Sequence, residues 1–275
     1  MMTKKGNTVA PTATATMPRL MIYQPSQRPR QRAGDWFDAP GRYGRARVTG
    51  RLGQRHADLL EAVLYHAEAA RDVPGGGVDL LVDPARVRRS MSDSGYSLQR
   101  IDALFADLRA AVIEIESPAL DSKIVGGLID HKIPSSATRP DPLTGGERNL
   151  WVVRVGAALV MLINRDIRLY YDPAPLARLE HGVSQAVARH VLSHQREPAG
   201  GWKIDTLIKA VCGDVSGQAR WDARRRIKAD ADGLAAAGVL IDGDRVRTAK
   251  TLAHRPGDPV PDPARPEGDP GTPAR

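Results

Sequence analysis

Hydrophobic and polar positions follow two different periods along the middle of the chain, and the switches between them mark a repeated order of elements. From His56 to Ala70, the residues Leu59, Leu60, Val63, Leu64 and Ala67 share one helical face. A Gly75-Gly-Gly turn and a short apolar strand, Val78 to Val82, come next. Asp83 followed by Pro84 is a helix start, a capping side chain and then a residue whose missing N–H is not needed in the first turn. A third helix is predicted from about Ser94 to Ala111, burying Leu98, Ile101, Leu104, Phe105 and Leu108. Val112-Ile-Glu-Ile-Glu alternates as a strand does, and Lys123 to Asp130 supplies a partner for it.

The order then repeats. After strands around Trp151–Val155 and Ile167–Tyr171 come a helix from about Pro175 to Gln195, a Pro198-Ala-Gly-Gly turn and Trp202-Lys-Ile. Asp205 or Thr206 caps a helix reaching Cys212, a long helix spans about Gln218 to Ala237, and Val239-Leu-Ile-Asp and Arg245-Val-Arg-Thr form a closing hairpin. The joins match in sequence, Leu108-Arg-Ala-Ala-Val-Ile-Glu-Ile against Leu234-Ala-Ala-Ala-Gly-Val-Leu-Ile. Helix, short strand, helix, helix, hairpin is the winged-helix order. The expected fold is therefore α+β but mainly helical, with two tandem winged-helix domains at 48–131 and 150–250. The Pro-, Ser- and Gly-rich run 132–149 is expected as a linker, 1–47 as a disordered basic arm and 251–275 as a disordered Pro-rich tail.

Composition adds little until charge is placed along the chain. Aromatic residues are 4% of the total, so the cores are expected to be aliphatic. The single cysteine, Cys212, excludes an internal disulfide and any thiol zinc site, and no apolar run approaches the ~20 residues of a membrane span. With no apolar run behind Lys4 and Lys5 a signal peptide is not expected, and the predicted location is the cytoplasm. Net charge is +8, yet residues 1–55 hold eleven Lys or Arg against two Asp, which leaves the middle of the chain neutral. Within that neutral middle, Gln218 to Lys228 carries Arg220, Arg224, Arg225, Arg226 and Lys228 against Asp222 alone. Such local contrast is the footprint of a polyanion site.

On a continuous helix from Gln218 to Ala237, Ala219, Ala223, Ile227, Leu234 and Ala237 form the core face, and Arg220, Arg224 and Lys228 form a rail beside it. Trp221 and Arg225 flank the rail. A cationic rail without carboxylates repels itself, and phosphates or base edges would complete it. The candidate double-stranded DNA contacts are therefore Gln218, Arg220, Trp221, Arg224, Arg225 and Lys228. Replacing Arg220, Arg224 and Lys228 together is expected to abolish specific binding and leave the fold intact. In the first half the cationic residues are Arg86, Arg88 and Arg89 on the preceding helix, suited to phosphate contacts, with Arg100 on the third helix.

Catalysis is not expected. Tyr170-Tyr171 lacks the His-hydrophobic-His strand that a rolling-circle nuclease needs, and no Gly-rich loop ends in Lys-Ser/Thr for a nucleotide. His190 and His194 stand four apart, without the glutamate or third ligand of a zinc site. Asp79 with Asp83, and Asp230 with Asp232, have no accompanying metal constellation. No metal and no cofactor are expected.

The segments Leu52-Gly-Gln-Arg-His-Ala-Asp-Leu-Leu, Ile167-Arg-Leu, Ala188-Arg-His-Val-Leu-Ser-His, Lys203-Ile-Asp-Thr-Leu, Arg224-Arg-Arg-Ile-Lys and Leu234-Ala-Ala-Ala-Gly resemble plasmid replication initiators with tandem winged helices, of the RepC type and more loosely the TrfA type. The resemblance covers about Val48 to Thr248. It implies binding to direct origin repeats (iterons), opening of the adjacent duplex, recruitment of a helicase, and exchange between homodimers and monomers. A winged-helix repressor that does not open DNA is the alternative, and a protein-interaction adaptor is the second.

Overall fold

The computed structural model describes residues 10–39, 43–94, 96–120, 122–141 and 145–249, and the tail expected at 251–275 lies outside them. The chain opens with β1 (Ala13–Thr14), α1 (Thr16–Arg19), β2 (Arg32–Asp38) and β3 (Arg45–Gly50). Next come α2 (Gln54–Tyr65), β4 (Ala67–Asp72), β5 (Val78–Val82), α3 (Pro84–Met91) and α4 (Leu98–Ala110). A run of strands follows, β6 (Val112–Ser117), β7 (Ser122–Gly127), β8 (Ile129–Pro140) and β9 (Glu147–Val155), and then α5 (Ala157–Arg165) and β10 (Arg168–Leu169).

Two four-stranded antiparallel sheets, ordered β2-β3-β6-β7 and β4-β5-β9-β8, build the first half. In the first sheet period-two alternation works as expected. Ala46 and Val48 of β3 lie opposite Ile115 and Ile113 of β6, all fully buried, and Arg45 and Arg47 point outward. Gly50 closes β3 at a φ of +118°, where a Cβ would come within 2.9 Å of the Ala111 backbone. Glycine is the residue that tolerates both conditions. The helix-start signal at Asp83 is realised: its carboxylate accepts the Ala85 N–H at 2.9 Å, and Pro84 opens α3.

The second half contains α6 (Ala174–Ala177), α7 (Gly182–Leu192), β11 (Trp202–Lys203), α8 (Ile204–Cys212), α9 (Gly217–Ala229), α10 (Ala231–Ala236), β12 (Val239–Asp242) and β13 (Arg245–Thr248). Its sheet is ordered β11-β13-β12, and its aliphatic core joins Val187 and Val191 of α7 to Ile204, Leu207 and Ile208 of α8, Ile227 of α9, Leu234, Val239 and Val246.

Several expectations are corrected. The chain is α+β but not mainly helical: about 40% of the described residues are helical and 31% extended, in four antiparallel sheets. Nor are the halves equivalent. In the second, the short strand β11 pairs with the hairpin that follows α10. In the first, β5 pairs with β4 and β9, and the β6–β7 hairpin pairs with β3, so strand and hairpin lie in different sheets. Similar one-dimensional order thus hides different pairing, because period-two patterning selects a face and not a partner.

The expected linker is largely the β8–β9 hairpin. Its prolines, Pro134 and Pro140, sit on the sheet-edge strand β8, where a missing N–H is tolerated. β9 and α5 pack in the first core through Trp151, Val153, Val155, Leu159 and Leu162, so the two cores divide between Ile163 and Leu176 and not at 132–149. The expected helix 175–195 is broken into α6 and α7. α8 starts at Ile204 with Lys203 at its N-cap, so Asp205 lies inside the first turn.

The basic arm is ordered from residue 10 onward in the described residues. Met17, Leu20, Ile22 and Tyr23 are buried in the first core, β1 pairs with β10, and α1 lies against α7 and α8. Arg19 donates to Ser193 Oγ at 3.1 Å, and the Gln27 amide donates to the Leu179 carbonyl at 3.1 Å. The arm is a clasp between the halves.

Candidate nucleic-acid interface

α8 and α9 form a helix-turn-helix pair joined by a short loop, 213–216. Gly201, in the turn before β11, has a φ of +76°, and a Cβ there would lie 2.5 Å from the Val246 carbonyl; the sheet beneath the pair needs glycine at this point. Ala223 and Ile227 fasten α9 to the core, whereas Gln218, Arg220, Trp221, Arg225, Arg226 and Lys228 are exposed. Ser216, at the N-cap, makes no side-chain capping bond, so the first-turn N–H groups of α9 have no side-chain acceptor.

The expected continuous helix to Ala237 ends at Asp230. This buried carboxylate accepts the N–H groups of Glu180 at 3.3 Å and His181 at 3.0 Å, caps the start of α7, and turns the chain into α10. Ala219, assigned to the core face, is exposed in consequence, and Ala237 is half-buried. Asp, Gly and Asp clustered from 230 to 233 are weak helix formers, so the break costs little.

The rail is not without carboxylates. Arg224 reaches Asp205 of α8 at 2.9 Å and Asp244 of the β12–β13 turn at 2.6 Å, and Lys228 lies 3.6 Å from Asp244. Hydrogen bonds that Arg224 donates to Asp205 and then Asp244 hold its guanidinium above its usual range, and Arg224 in turn lowers the Asp244 carboxyl. Arg224 therefore braces α9 against α8 and the hairpin. Arg225 lies 3.5 Å from Asp222 and 5.3 Å above the Trp221 ring, which is 56% exposed. Arg220 and Arg226 make no side-chain ion pair or hydrogen bond among the described residues. Gln218, Arg220, Trp221, Arg225 and Arg226 are thus the groups exposed to a ligand, with Arg225 engaged only by Asp222 and Trp221 of its own helix.

The first-half candidates scatter. Arg88 is half-buried and donates from Nε to the Tyr96 carbonyl at 2.7 Å, closing the α3–α4 loop. Arg86 lies 3.6 Å from Glu68, Arg100 sits 5.9 Å from the Tyr96 ring, and Arg89 is exposed with no partner among the described residues. Outward residues of α4 mix Arg100 and Arg109 with Asp102, which Lys132 engages.

A further set of polar residues escaped the sequence reading. Gln54, Asp58 and Glu61, on the side of α2 away from its apolar face, are buried against α7. Arg189 of α7 donates to Asp58 at 2.6 Å, to both oxygens of Glu61 at 2.7 and 2.8 Å, and to Gln54 at 2.8 Å. Gln185 and Tyr171 complete the network, on Asp58 at 3.0 Å and Glu61 at 2.8 Å. Burial alone would lower Arg189, but Glu61 and Asp58 outweigh it and hold the guanidinium well above its usual range. The network fixes the two halves on each other. Its one sequence signal was an i, i+4, i+7 polar row on a helix already known to be amphipathic, and such a row ordinarily faces water.

Among the described residues, Glu180, His181 and Asp230 have ligand atoms within 4.8 Å of one another, close enough for a metal. Asp230 instead serves as the cap of α7, and His181 Nδ1 lies 3.2 Å from it. His190 is buried and His194 half-buried; His194 Nε2 lies 2.9 Å from the Tyr43 hydroxyl and its Nδ1 lies 2.7 Å from the His190 carbonyl, a packing role that ties the arm to α7. No helix among the described residues is long and apolar enough to cross a membrane.

No protein-family model matches the chain, and no curated protein matches it. Solved structures do. Domains 2 and 3 of RctB, in a selenomethionine crystal structure, superpose with a TM-score of 0.52 at 12% identity, over 85% of this chain and 95% of that one. A second RctB domain 2–3 structure gives 0.49 at 12% identity over 83% and 84%. This chain shares the fold of RctB domains 2 and 3 over 85% of its length.

Proposed function

We propose that this protein is a replication initiator that binds double-stranded DNA sequence-specifically through α9. The observation that carries the reading is the outer face of α9, where Gln218, Arg220, Trp221, Arg225 and Arg226 stand exposed on the second helix of a helix-turn-helix. Such a helix enters the major groove with its early residues against base edges, and an arginine there holds guanine bidentately for ~1–3 kcal/mol of discrimination. Likeness of fold to RctB, a replication initiator, supports the initiator role over a simple repressor. On this reading the ligand is an array of origin repeats, Arg224 and Lys228 set the pose of the helix and of the hairpin beside it, and the protein acts without catalysis. Origin opening, helicase recruitment and exchange between dimer and monomer belong to the same proposal.

The test is a gel-shift on the DNA flanking the protein's own gene, with salt varied and competitor DNA present. A ladder of discrete complexes on a repeat array, weakening steeply as salt rises, is the expected result. A single complex on a promoter would make the protein a repressor, and a smear erased by competitor would remove the reading.

A further inference from the structure

Away from α9, a cavity opens where the two halves of the molecule meet. Between the end of α2, α3 and α6 lies an open cavity of about 620 Å³, within the range of small-ligand sites. Arg86 and Arg89 of α3, Arg178 after α6, and His66 after α2 line it, with Ser90 in its wall.

The guanidinium groups are weakly held. Arg89 is exposed and has no partner among the described residues. Arg178 pairs at 2.8 Å with Asp93, whose side chain is 80% exposed. Arg86 stands 3.6 Å from Glu68, a carboxylate that Arg139 takes at 2.5 Å on its other oxygen. The second acid in the wall, Asp172, is engaged by the Ala174 N–H at 2.9 Å, at the start of α6. Beside these groups Ser90 is 5% exposed, and its hydroxyl is buried with no hydrogen-bond partner among the described residues. Buried hydroxyls in folded proteins almost always have a partner, so an unpartnered one on a residue that lines a cavity points to a ligand atom. Desolvation by burial, and then Arg86, lower the His66 imidazole below its usual range, leaving it neutral and able to donate one hydrogen bond at pH 7.

We propose that this cavity binds a phosphate group, of a free nucleotide or of the DNA backbone, with Arg86, Arg89 and Arg178 as its cationic wall and the Ser90 hydroxyl as its buried donor. Planar guanidinium forks match phosphate oxygens two at a time, and a hydroxyl supplies the one further donor that fits below them. The site shares no residue with the exposed face of α9.

The test titrates the full chain with deoxyadenosine 5′-monophosphate, with deoxyadenosine and with inorganic phosphate by calorimetry, and with a 20-base-pair duplex by fluorescence anisotropy over a range of salt. Arg89→Gln and Ser90→Ala are the variants; neither removes a contact within the protein, and their melting temperatures check the fold. Uptake of the monophosphate, at least about tenfold tighter than deoxyadenosine and about tenfold weaker in Arg89→Gln, assigns the site to free nucleotides. No uptake of small ligands, with duplex affinity reduced about three- to tenfold in Arg89→Gln and a salt slope lower by about one, assigns it to backbone phosphate. The proposal is overturned if wild-type protein takes up neither monophosphate nor inorganic phosphate at millimolar concentration and Arg89→Gln leaves duplex binding and its salt slope unchanged. Loss of duplex binding in the wild type would sink the α9 reading, and the monophosphate titration would still decide the cavity.

Discussion

The α3–α4 pair and the α8–α9 pair hold the same place in the order of elements, each between a short strand and a hairpin, and use their arginines in opposite ways. In the first pair Arg88 closes a loop and the outward face of α4 carries both signs of charge. In the second, Arg224 takes the bracing role against two carboxylates, and Arg220, Arg225 and Arg226 remain outside. Counting arginines therefore does not rank two helices as ligand surfaces. What separates them is how many charges the neighbouring elements have already answered.

Substitutions separate the junction, the α9 face and its first-half counterpart. Arg189→Met removes the cation between Asp58 and Glu61 and leaves two carboxylates buried; loss of one partner of a buried pair costs about 3–5 kcal/mol, seen as a lower melting temperature. A melt within 1–2 °C of wild type would show that the halves do not depend on this junction. Next, Arg220→Ala with Arg225→Ala and Arg226→Ala should weaken specific DNA binding by at least about a hundredfold and lower the salt slope by about 2–3, with circular dichroism unchanged. Arg100→Ala, the first-half counterpart, should change affinity less than about threefold. Equal losses from the two would erase the asymmetry.

A pH effect at the clasp is read on stability and not on binding. Burial, with lesser repulsion from His194 and Arg19, lowers His190 to about 3, so the unfolded chain binds a proton that the native protein refuses. Stability contributed by the neutral imidazole is present above the unfolded pKa near 6.5 and is lost as pH falls from there toward 3, at up to roughly 1.4 kcal/mol per pH unit. Chemical denaturation of His190→Leu at pH 7 and pH 4.5 should show a shallower loss than wild type. An identical loss would exclude His190 as its source.

The sequence made some of this legible and concealed the rest for definable reasons. Local signals held: the Asp83–Pro84 helix start, the alternation of β6, the cationic stretch of α9. The β8–β9 hairpin was hidden because its prolines and glycines read as a linker, and only an edge position in a sheet makes them acceptable. The arm was hidden because Met17, Leu20, Ile22 and Tyr23 follow no period; irregular segments are buried by whatever surface reaches them. Within the candidate site, Gln218, Arg220, Trp221 and Arg225 were legible as exposed, whereas the diversion of Arg224 and Lys228 was not, since Asp205 and Asp244 lie 16 to 20 positions away along the chain. For that reason the triple replacement of Arg220, Arg224 and Lys228 would disturb the brace as well as the reader.

Local signals were enough to place starts such as that of α3, the apolar faces and the gathering of positive charge, because those properties depend on neighbours within a few residues. Strand partners, the polar junction around Arg189 and the sorting of α9 arginines into braces and free groups were decided by the tertiary structure. Each of these rests on pairing between distant segments, and long-range pairing leaves no periodic trace in the chain.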